Sequence, residues 1–218
     1  MAAELAAAGG RVIWLTSWMS TDIPAVILAG GRSRRMGGGD KPLLALDDQT
    51  MLEHVVAALA PQVSALALNA NGDPARFARF RLPIVADSVA GLPGPLAGVL
   101  AGMEWTIACF PNSPRVLTVG GDMPFLPADL VSRLAGASRS GIVCAASAGR
   151  LHPIVSLWPV ALAPALRRAL DEGVRRVADF AAGHACTIVE FPVREVDPFF
   201  NVNRPDDLAS ARRHLDRA

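Results

Sequence analysis

Hydrophobic and polar positions along the chain predict short strands that end in polar residues and alternate with helices. Residues 25–29 form an apolar run rich in Val, Ile and Leu, typical of a strand buried on both faces. Comparable runs predict further strands at residues 64–69, 83–86 and 116–119. Apolar residues at helical spacing predict one helix with its stripe over residues 52–59 and another with its stripe over residues 96–107. This alternation favours an α/β fold with a parallel sheet, in which ligands bind at the carboxyl ends of the strands.

Capping signals mark several predicted helix ends. Thr50 and Glu53 have the spacing of a capping box in front of the first helix. The apolar stripe of the second helix includes Ile107, which we therefore expect in the core. Pro205 is placed to begin a terminal helix, and Asn203 is its expected cap. The second half of the chain is less regular, with strands predicted at residues 141–146, 150–157 and 186–192.

Length and composition suit one α/β domain with a sizeable core, since 51% of the 218 residues are hydrophobic. The formal net charge of +1 gives no support for a nucleic-acid surface. Cys109, Cys144 and Cys186 are widely spaced, and we expect them to be buried thiols in a reducing compartment. No apolar run reaches the roughly 18 residues that a membrane span needs.

The first 22 residues differ from the rest of the chain. The segment begins Ala-rich and lacks the positively charged start of a secretory signal. We expect residues 1–22 to form a disordered N-terminal extension, and residues 1–18 to be either that or an upstream mis-start. A single domain is predicted over residues 23–218.

The strand at residues 25–29 runs directly into a loop rich in glycine and positive charge. The loop includes Gly30 and Gly31, followed by the cations Arg35 and Lys41. Glycine lets backbone N–H groups approach a ligand closely, because no Cβ is in the way. A strand that leads into such a loop predicts a polyphosphate-binding site.

A second candidate residue, Asp122, follows the predicted strand at residues 116–119. Mg²⁺ prefers one or two carboxylates together with water and phosphate oxygens. An aspartate at a strand end is also often a simple turn or helix cap. Because the cationic glycine loop is predicted at the same edge of the sheet, metal binding is the better interpretation.

Several separated motifs resemble those of bacterial molybdenum cofactor guanylyltransferases, a family of the nucleotidyltransferase superfamily. The motifs are Leu-Ala-Gly-Gly-Arg-Ser-Arg-Arg-Met-Gly at residues 28–37 with Lys41, the pairs Asn69/Asn71 and Asp87/Ser88, Pro-Gly-Pro-Leu-Ala-Gly at 93–98, Gly-Asp-Met-Pro at 121–124, His152-Pro153, and Asn201-Val202-Asn203. The resemblance runs from about residue 23 to residue 214. It implies a Rossmann-like three-layer αβα fold with a mostly parallel central sheet.

Carried over by position, the resemblance implies contacts to a guanine nucleotide from Leu28, Ala29, Gly30, Gly31, Lys41, Asn69, Asp87 and Asp122. It implies catalytic roles for Lys41, Arg35 and Asp122, with Asp122 also binding Mg²⁺ as the cofactor. The implied reaction transfers GMP from GTP to the phosphate of molybdopterin and releases pyrophosphate. No general base is needed, because the attacking phosphate is already ionised near pH 7.

The resemblance also divides the domain into a nucleotide half, about residues 23–135, and a pterin-side half, about residues 136–218. Candidates on the pterin side are His152, Arg175, Arg176, Asn201 and Asn203. Two interpretations stay open for several of them. His152 could contact an acidic substrate, but a histidine before proline at a strand start is as often a structural residue. The adjacent arginines are either solvated or suited to an anionic pterin phosphate.

The implied partners are GTP and molybdopterin, together with cofactor-delivery or acceptor proteins, in the cytoplasm and without nucleic acid or membrane. Three rivals are weighed against this interpretation. A cytidylyltransferase acting on the same pterin typically has Leu-Ala-Ala-Gly, and Gly30 argues against it. A sugar-nucleotide pyrophosphorylase usually carries a Gly-x-Arg-Leu element, which the loop lacks. A non-catalytic nucleotide-binding adaptor would not need both Lys41 and Asp122.

Overall fold

The computed structural model describes residues 22–30, 40–89, 91 and 94–215. The strands within these residues are β1 Ala25–Leu28, β2 Leu66–Asn69, β3 Ile84–Val85, β4 Arg115–Gly120, β5 Ile142–Ser147, β6 Arg150–Pro159 and β7 Cys186–Phe191. The α-helices are α1 Met51–Leu59, α2 Pro95–Cys109, α3 Leu130–Ala137, α4 Ala163–Asp171, α5 Val177–Ala182 and α6 Pro205–Leu215. Short 3₁₀ segments lie at Lys41–Leu43, Ala60–Gln62, Pro74–Phe80 and Val160–Leu162.

In the part of the chain that the structure describes, seven strands form one sheet in the order β3-β2-β1-β4-β6-β5-β7. Strand β6 is antiparallel to both of its neighbours, and the remaining pairs are parallel. The predicted mostly parallel sheet is therefore confirmed. Both predicted halves of the domain contribute strands to this sheet, and their division near residue 135 stays a prediction.

Helices cover both faces of the sheet. Side chains of neighbouring strand residues point to opposite sides, and because both sets are apolar, both faces need a covering layer. On one face, Ala25 and Ile27 of β1 belong to a buried cluster that includes residues of α1 and α3. On the other face, Val26 belongs to a cluster with residues of α2, α4 and α5. Helix α6 packs through Ala211 in a smaller cluster with Val202. This arrangement is the three-layer αβα fold that the family resemblance implies.

Local sequence signals correctly predict a feature that a single helical turn determines. The capping box of α1 is confirmed, because the Thr50 hydroxyl accepts the Glu53 N–H while the Glu53 carboxylate accepts the Thr50 N–H. The prediction for Ile107 is wrong, since 48% of this residue is exposed at the end of the α2 stripe. Helix α5 was not predicted from the sequence, and its six residues are too few to show a periodic pattern.

The cysteine prediction is correct for only one residue. Cys144 lies buried in β5, and burial raises the pKa of its thiol to about 12. Cys109 and Cys186 are exposed, so the expectation that they are buried is wrong. All three are free thiols.

Some predictions fall outside the described residues. They concern residues 1–21 of the expected N-terminal extension and the loop positions Gly31 and Arg35. Within the ranges that are described, no helix combines the length and the apolar character needed to cross a bilayer.

Candidate functional site

The candidate site begins at the carboxyl end of β1, which lies between β2 and β4. Leu28 is in register with Asn69 of β2 and with Gly120 of β4. The Ala29 N–H donates to the Asn69 carbonyl oxygen at 2.9 Å, and the Gly121 N–H donates to the Leu28 carbonyl oxygen at 3.0 Å. The strand ends that carry most of the predicted residues therefore meet at one edge of the sheet.

Lys41 is the centre of the first group of polar side chains. Its ammonium donates to Asp122 Oδ2 at 2.5 Å, to Asn203 Oδ1 at 2.6 Å and to Asn201 Oδ1 at 3.1 Å. An ammonium group has three hydrogens, so these contacts use its whole donor capacity. Because the Lys41 and Asp122 side chains are only 11% and 19% exposed, the pair is largely shielded from water.

The backbone around Asp122 is shaped to bring this carboxylate to Lys41. A Cβ on Gly120 would lie 2.7 Å from Asp122 Oδ1, so glycine leaves the space that the carboxylate occupies. The Val202 N–H donates to the Asp122 carbonyl oxygen at 3.1 Å. This bond joins the loop after β4 to the segment that carries Asn201 and Asn203.

The position of Asn203 corrects one expectation from the sequence. Its side chain does not cap α6, because its Oδ1 accepts from Lys41 instead. The start of α6 is capped by Asp207 Oδ2, which accepts the N–H groups of Asn203 and Arg204, each at 2.8 Å. A carboxylate near a helix N-terminus is favourable for this task, and it leaves the Asn203 side chain available to the site.

A second group of polar side chains lies at the ends of β2 and β3. Asn69 Nδ2 donates to Asp87 Oδ1 at 2.9 Å and to the Val85 carbonyl oxygen at 3.0 Å. Asn71 Nδ2 donates to Asp87 Oδ2 at 2.7 Å, and Asn71 Oδ1 accepts the Asp87 N–H at 2.9 Å. Each oxygen of the Asp87 carboxylate is therefore held by one asparagine.

Arg76 links this second group to the region just before Lys41, a role that the sequence did not reveal. Its guanidinium forms an ion pair with Asp40 and donates to the Asn71 carbonyl oxygen at 2.6 Å. The residue lies in a 3₁₀ segment among other arginines, so no local pattern distinguishes it. It helps to fix Asn71 beside Asp87.

Gly98 in α2 provides the space in which Asn69 lies. A Cβ at this position would lie 2.3 Å from Asn69 Oδ1 and 2.9 Å from Leu28 Cδ2. Real Cβ contacts are not that short, so any other residue would displace the Asn69 side chain.

The resemblance implies that Asn69 contacts a guanine nucleotide, so we expect Gly98→Ala to raise the KM for GTP about tenfold, the effect of losing one well-placed hydrogen bond. Steady-state kinetics on the full chain measure this change in KM. The matched control is Gly136→Ala in α3, where a Cβ meets nothing within 4 Å. An unchanged KM in the Gly98 variant would contradict the role given to Asn69.

The remaining candidates on the pterin side are His152, Arg175 and Arg176, and each has a different environment. His152 is buried and within 2.7 Å of Ser147 Oγ, and burial lowers its pKa. Arg175 folds back onto its own loop, donating to the carbonyl oxygens of Leu170 at 2.7 Å and Val174 at 2.9 Å. Arg176 is exposed directly before α5. The structure thus brings Asn201 and Asn203, but neither arginine guanidinium, to Lys41 among the described contacts.

Comparisons with known proteins agree with this geometry. A sequence profile described as a MobA-like NTP transferase domain matches residues 25–185. A molybdenum cofactor guanylyltransferase of Rhodopseudomonas palustris is 54% identical over 194 residues, covering 87% of this chain and 92% of that protein. The chain belongs to the molybdenum cofactor guanylyltransferase family. The family member of Mesorhizobium japonicum is 53% identical over 204 residues, covering 90% of this chain and 98% of that protein.

A solved structure supports the fold. The molybdopterin-guanine dinucleotide biosynthesis protein A of Archaeoglobus fulgidus matches with a TM-score of 0.71 at 20% identity, covering 90% of this chain and all of that one. Family membership confirms the resemblance inferred from the motifs and makes the chain a nucleotidyltransferase. It also explains why the polar side chains gather at the carboxyl edge of the sheet, where α/β folds bind their ligands.

Proposed function

We propose that the chain transfers GMP from GTP to the phosphate of molybdopterin, with Mg²⁺ as the metal and pyrophosphate as the leaving group. The observation that carries this proposal is the contact of Lys41 with Asp122 at the end of β4, in a chain of this family. Both reactants are anions, so their approach is opposed by repulsion. Neutralising and positioning the phosphates is therefore the main task of the protein.

Lys41 is suited to that task because its ammonium is already oriented. Two neutral amide oxygens, from Asn201 and Asn203, hold two of its hydrogens. The third hydrogen is donated to the Asp122 carboxylate. We propose that a phosphate oxygen of the nucleotide takes this third hydrogen when a cation competes for the carboxylate. The positive charge then faces the negative charge that develops on the phosphate and on the leaving pyrophosphate.

Asp122 fits the metal, because its carboxylate is partly exposed at a strand end and hard cations bind such oxygens. Bound Mg²⁺ would supply Lewis-acid polarisation of the phosphate oxygens. Asp122 is the described residue that we assign to this ion. The remaining ligands are expected from nucleotide phosphates and water, as is usual for Mg²⁺.

The second polar group is proposed to bind the nucleoside. The Asp87 carboxylate is held in place by Asn69 and Asn71, so it presents fixed acceptors to N–H or O–H groups of guanosine. Leu28 ends β1 between Asn69 of β2 and Gly120 of β4, so the backbone from Leu28 to Gly30 is proposed to face the phosphates. Gly31 and Arg35, outside the described residues, keep the roles that the motif gives them as proposals.

Contacts to the pterin are also proposals. Asn201 and Asn203 are the best placed of the candidates, because both touch Lys41. Arg175 and Arg176 are retained as candidates because two adjacent cations suit an anionic pterin phosphate, whereas the buried His152 is assigned the structural role that its sequence position left open. A cytoplasmic location and delivery or acceptor proteins as partners belong to the same proposal.

Pyrophosphate release tests the proposal, measured with Mg²⁺ and molybdopterin and compared among GTP, CTP, ATP and UTP. We expect release with GTP alone, and no release when molybdopterin is left out. Release with CTP instead would show that the base pocket is assigned to the wrong nucleotide. Binding of GTP without any release would support the non-catalytic adaptor.

A further inference from the structure

A chain of hydrogen bonds, with two of its three residues buried, lies at the carboxyl end of β5. Ser147 Oγ donates to Asp197 Oδ1 at 2.7 Å and also lies 2.7 Å from His152 Nε2. Ser147 is fully buried, and His152 is 8% exposed. None of the three is needed for the charge neutralisation proposed above, so the burial of Ser147 and His152 calls for another explanation.

The direction of these hydrogen bonds follows from proton counting. A serine hydroxyl has one hydrogen, and a carboxylate can only accept. If Ser147 donates to Asp197, the bond to the imidazole must be donated by His152 Nε2–H. Burial lowers the pKa of His152, which keeps the ring neutral near pH 7, in the Nε2–H tautomer. The order of donation is therefore His152 to Ser147 to Asp197.

Asp197 fixes the turn that leads to the two asparagines. Its Oδ1 also accepts the Phe199 N–H at 2.9 Å, and its carbonyl oxygen accepts the Phe200 N–H at 2.9 Å. Phe199 is buried, with its ring 4.9 Å from the His152 ring and 5.2 Å from the Phe191 ring between centroids. The segment of residues 197–203 is thus held at its first end by Asp197 and Phe199.

The same segment is held again beyond the turn. The Val202 N–H bonds to the Asp122 carbonyl oxygen, and the Asn203 N–H bonds to the Asp207 carboxylate. Asn201 lies between the two anchored stretches and Asn203 lies in the second one, and both side chains accept hydrogens from Lys41. A displacement at the Asp197 end would therefore move Asn201 relative to Lys41.

We infer that His152, Ser147 and Asp197 are positioning residues that hold Asn201 and Asn203 against the Lys41 ammonium. This inference deepens the proposed function and rests on it only for the effect on turnover. The hydrogen bonds themselves predict a structural coupling between Ser147 and Lys41 that exists without substrate. His152 then acts through Asp197 and touches neither the nucleotide nor the pterin.

Two pairs of variants separate positioning from general stability. Ser147→Ala removes the central hydroxyl, and the matched control is Ser113→Ala, whose hydroxyl donates to backbone oxygens near the start of β4. His152→Asn is too short to place a donor at the Nε2 position, whereas His152→Gln places an amide N–H there. Both His152 variants lose the ring contact with Phe199, so a difference between them reports the hydrogen bond.

Lys41 provides a direct readout, because it is the only lysine in the sequence. Labelling with [¹⁵Nζ]lysine therefore gives one side-chain amine signal, whose shift and hydrogen exchange report its three acceptors. We expect this signal to be shifted or broadened in Ser147→Ala and His152→Asn and to match the wild type in Ser113→Ala and His152→Gln. We expect kcat to fall roughly tenfold to a hundredfold in the first two variants, as misplacement of a catalytic group does, with the KM for GTP unchanged.

The outcomes distinguish this inference from the proposed function. An unchanged amine signal in folded Ser147→Ala would overturn the inference, even if the wild type transfers GMP. Equal losses in His152→Gln and His152→Asn would overturn it as well, because packing rather than hydrogen bonding would then be responsible. If Ser147→Ala does not fold, the His152 pair decides. Failure of wild-type turnover with a changed amine signal would refute the proposed function and leave the coupling intact.

Discussion

Replacing Lys41 with methionine is expected to lower kcat about a hundredfold to a thousandfold at saturating GTP, the usual cost of losing one preorganised donor to a developing anion. Methionine has a similar length but no charge and no N–H. Asp122, Asn201 and Asn203 would lose the donor that they share. Pyrophosphate release under single-turnover conditions measures the effect on the chemical step.

Lys41→Arg is the matched comparison. It keeps the positive charge, but a planar guanidinium cannot reproduce the arrangement of three acceptors around one nitrogen. We therefore expect an activity between those of the methionine variant and the wild type. A thermal melt of each variant separates loss of folding from loss of chemistry. Turnover of Lys41→Met within a few-fold of the wild type would contradict the role assigned to this residue.

The second large effect is expected for Asp122→Asn. Asparagine keeps an oxygen that can accept from Lys41, so the fold should persist, but it removes the negative charge that a hard cation requires. We expect kcat to fall by about two orders of magnitude, the scale seen when one group that stabilises the transition state is lost. The concentration of Mg²⁺ that gives half-maximal activity should rise at the same time.

A Mg²⁺ titration of both enzymes at fixed GTP measures this change. Asp129→Asn is the control, because Asp129 is exposed and paired with Arg133 rather than with Lys41. The control should titrate like the wild type. If Asp122→Asn showed wild-type activity and an unchanged Mg²⁺ requirement, the metal would have to be held elsewhere.

The positions of the strand ends could be predicted from the sequence because they depend on local patterns. The apolar run before Gly30 and the run before Asp122 each identify a buried strand, and parallel strands bring their carboxyl ends to one edge. That reasoning places Leu28, Asn69 and Asp122 near one another, as the structure does. The expectation of a guanine nucleotide as the ligand came from the family motifs rather than from the hydrophobic pattern of the strands.

The contacts of Asn201 and Asn203 could not be predicted in this way. They lie 160 and 162 residues from Lys41, and nothing local reports so distant a contact. The sequence before Pro205 instead favours a helix cap at Asn203, a role that the Asp207 carboxylate takes. The hydrogen bond between Ser147 and Asp197 could not be predicted for the same reason, because these residues are 50 positions apart in the sequence.

The most direct test of the central claim follows the α-phosphate of GTP. The wild-type chain is incubated with Mg²⁺ and molybdopterin, once with GTP labelled at the α-phosphate and once with GTP labelled at the γ-phosphate. We predict that the α-label appears in the pterin product and the γ-label in pyrophosphate, because the molybdopterin phosphate attacks the α-phosphorus. Transfer of the γ-label to the pterin, or no transfer of either label, would contradict guanylyl transfer at this site.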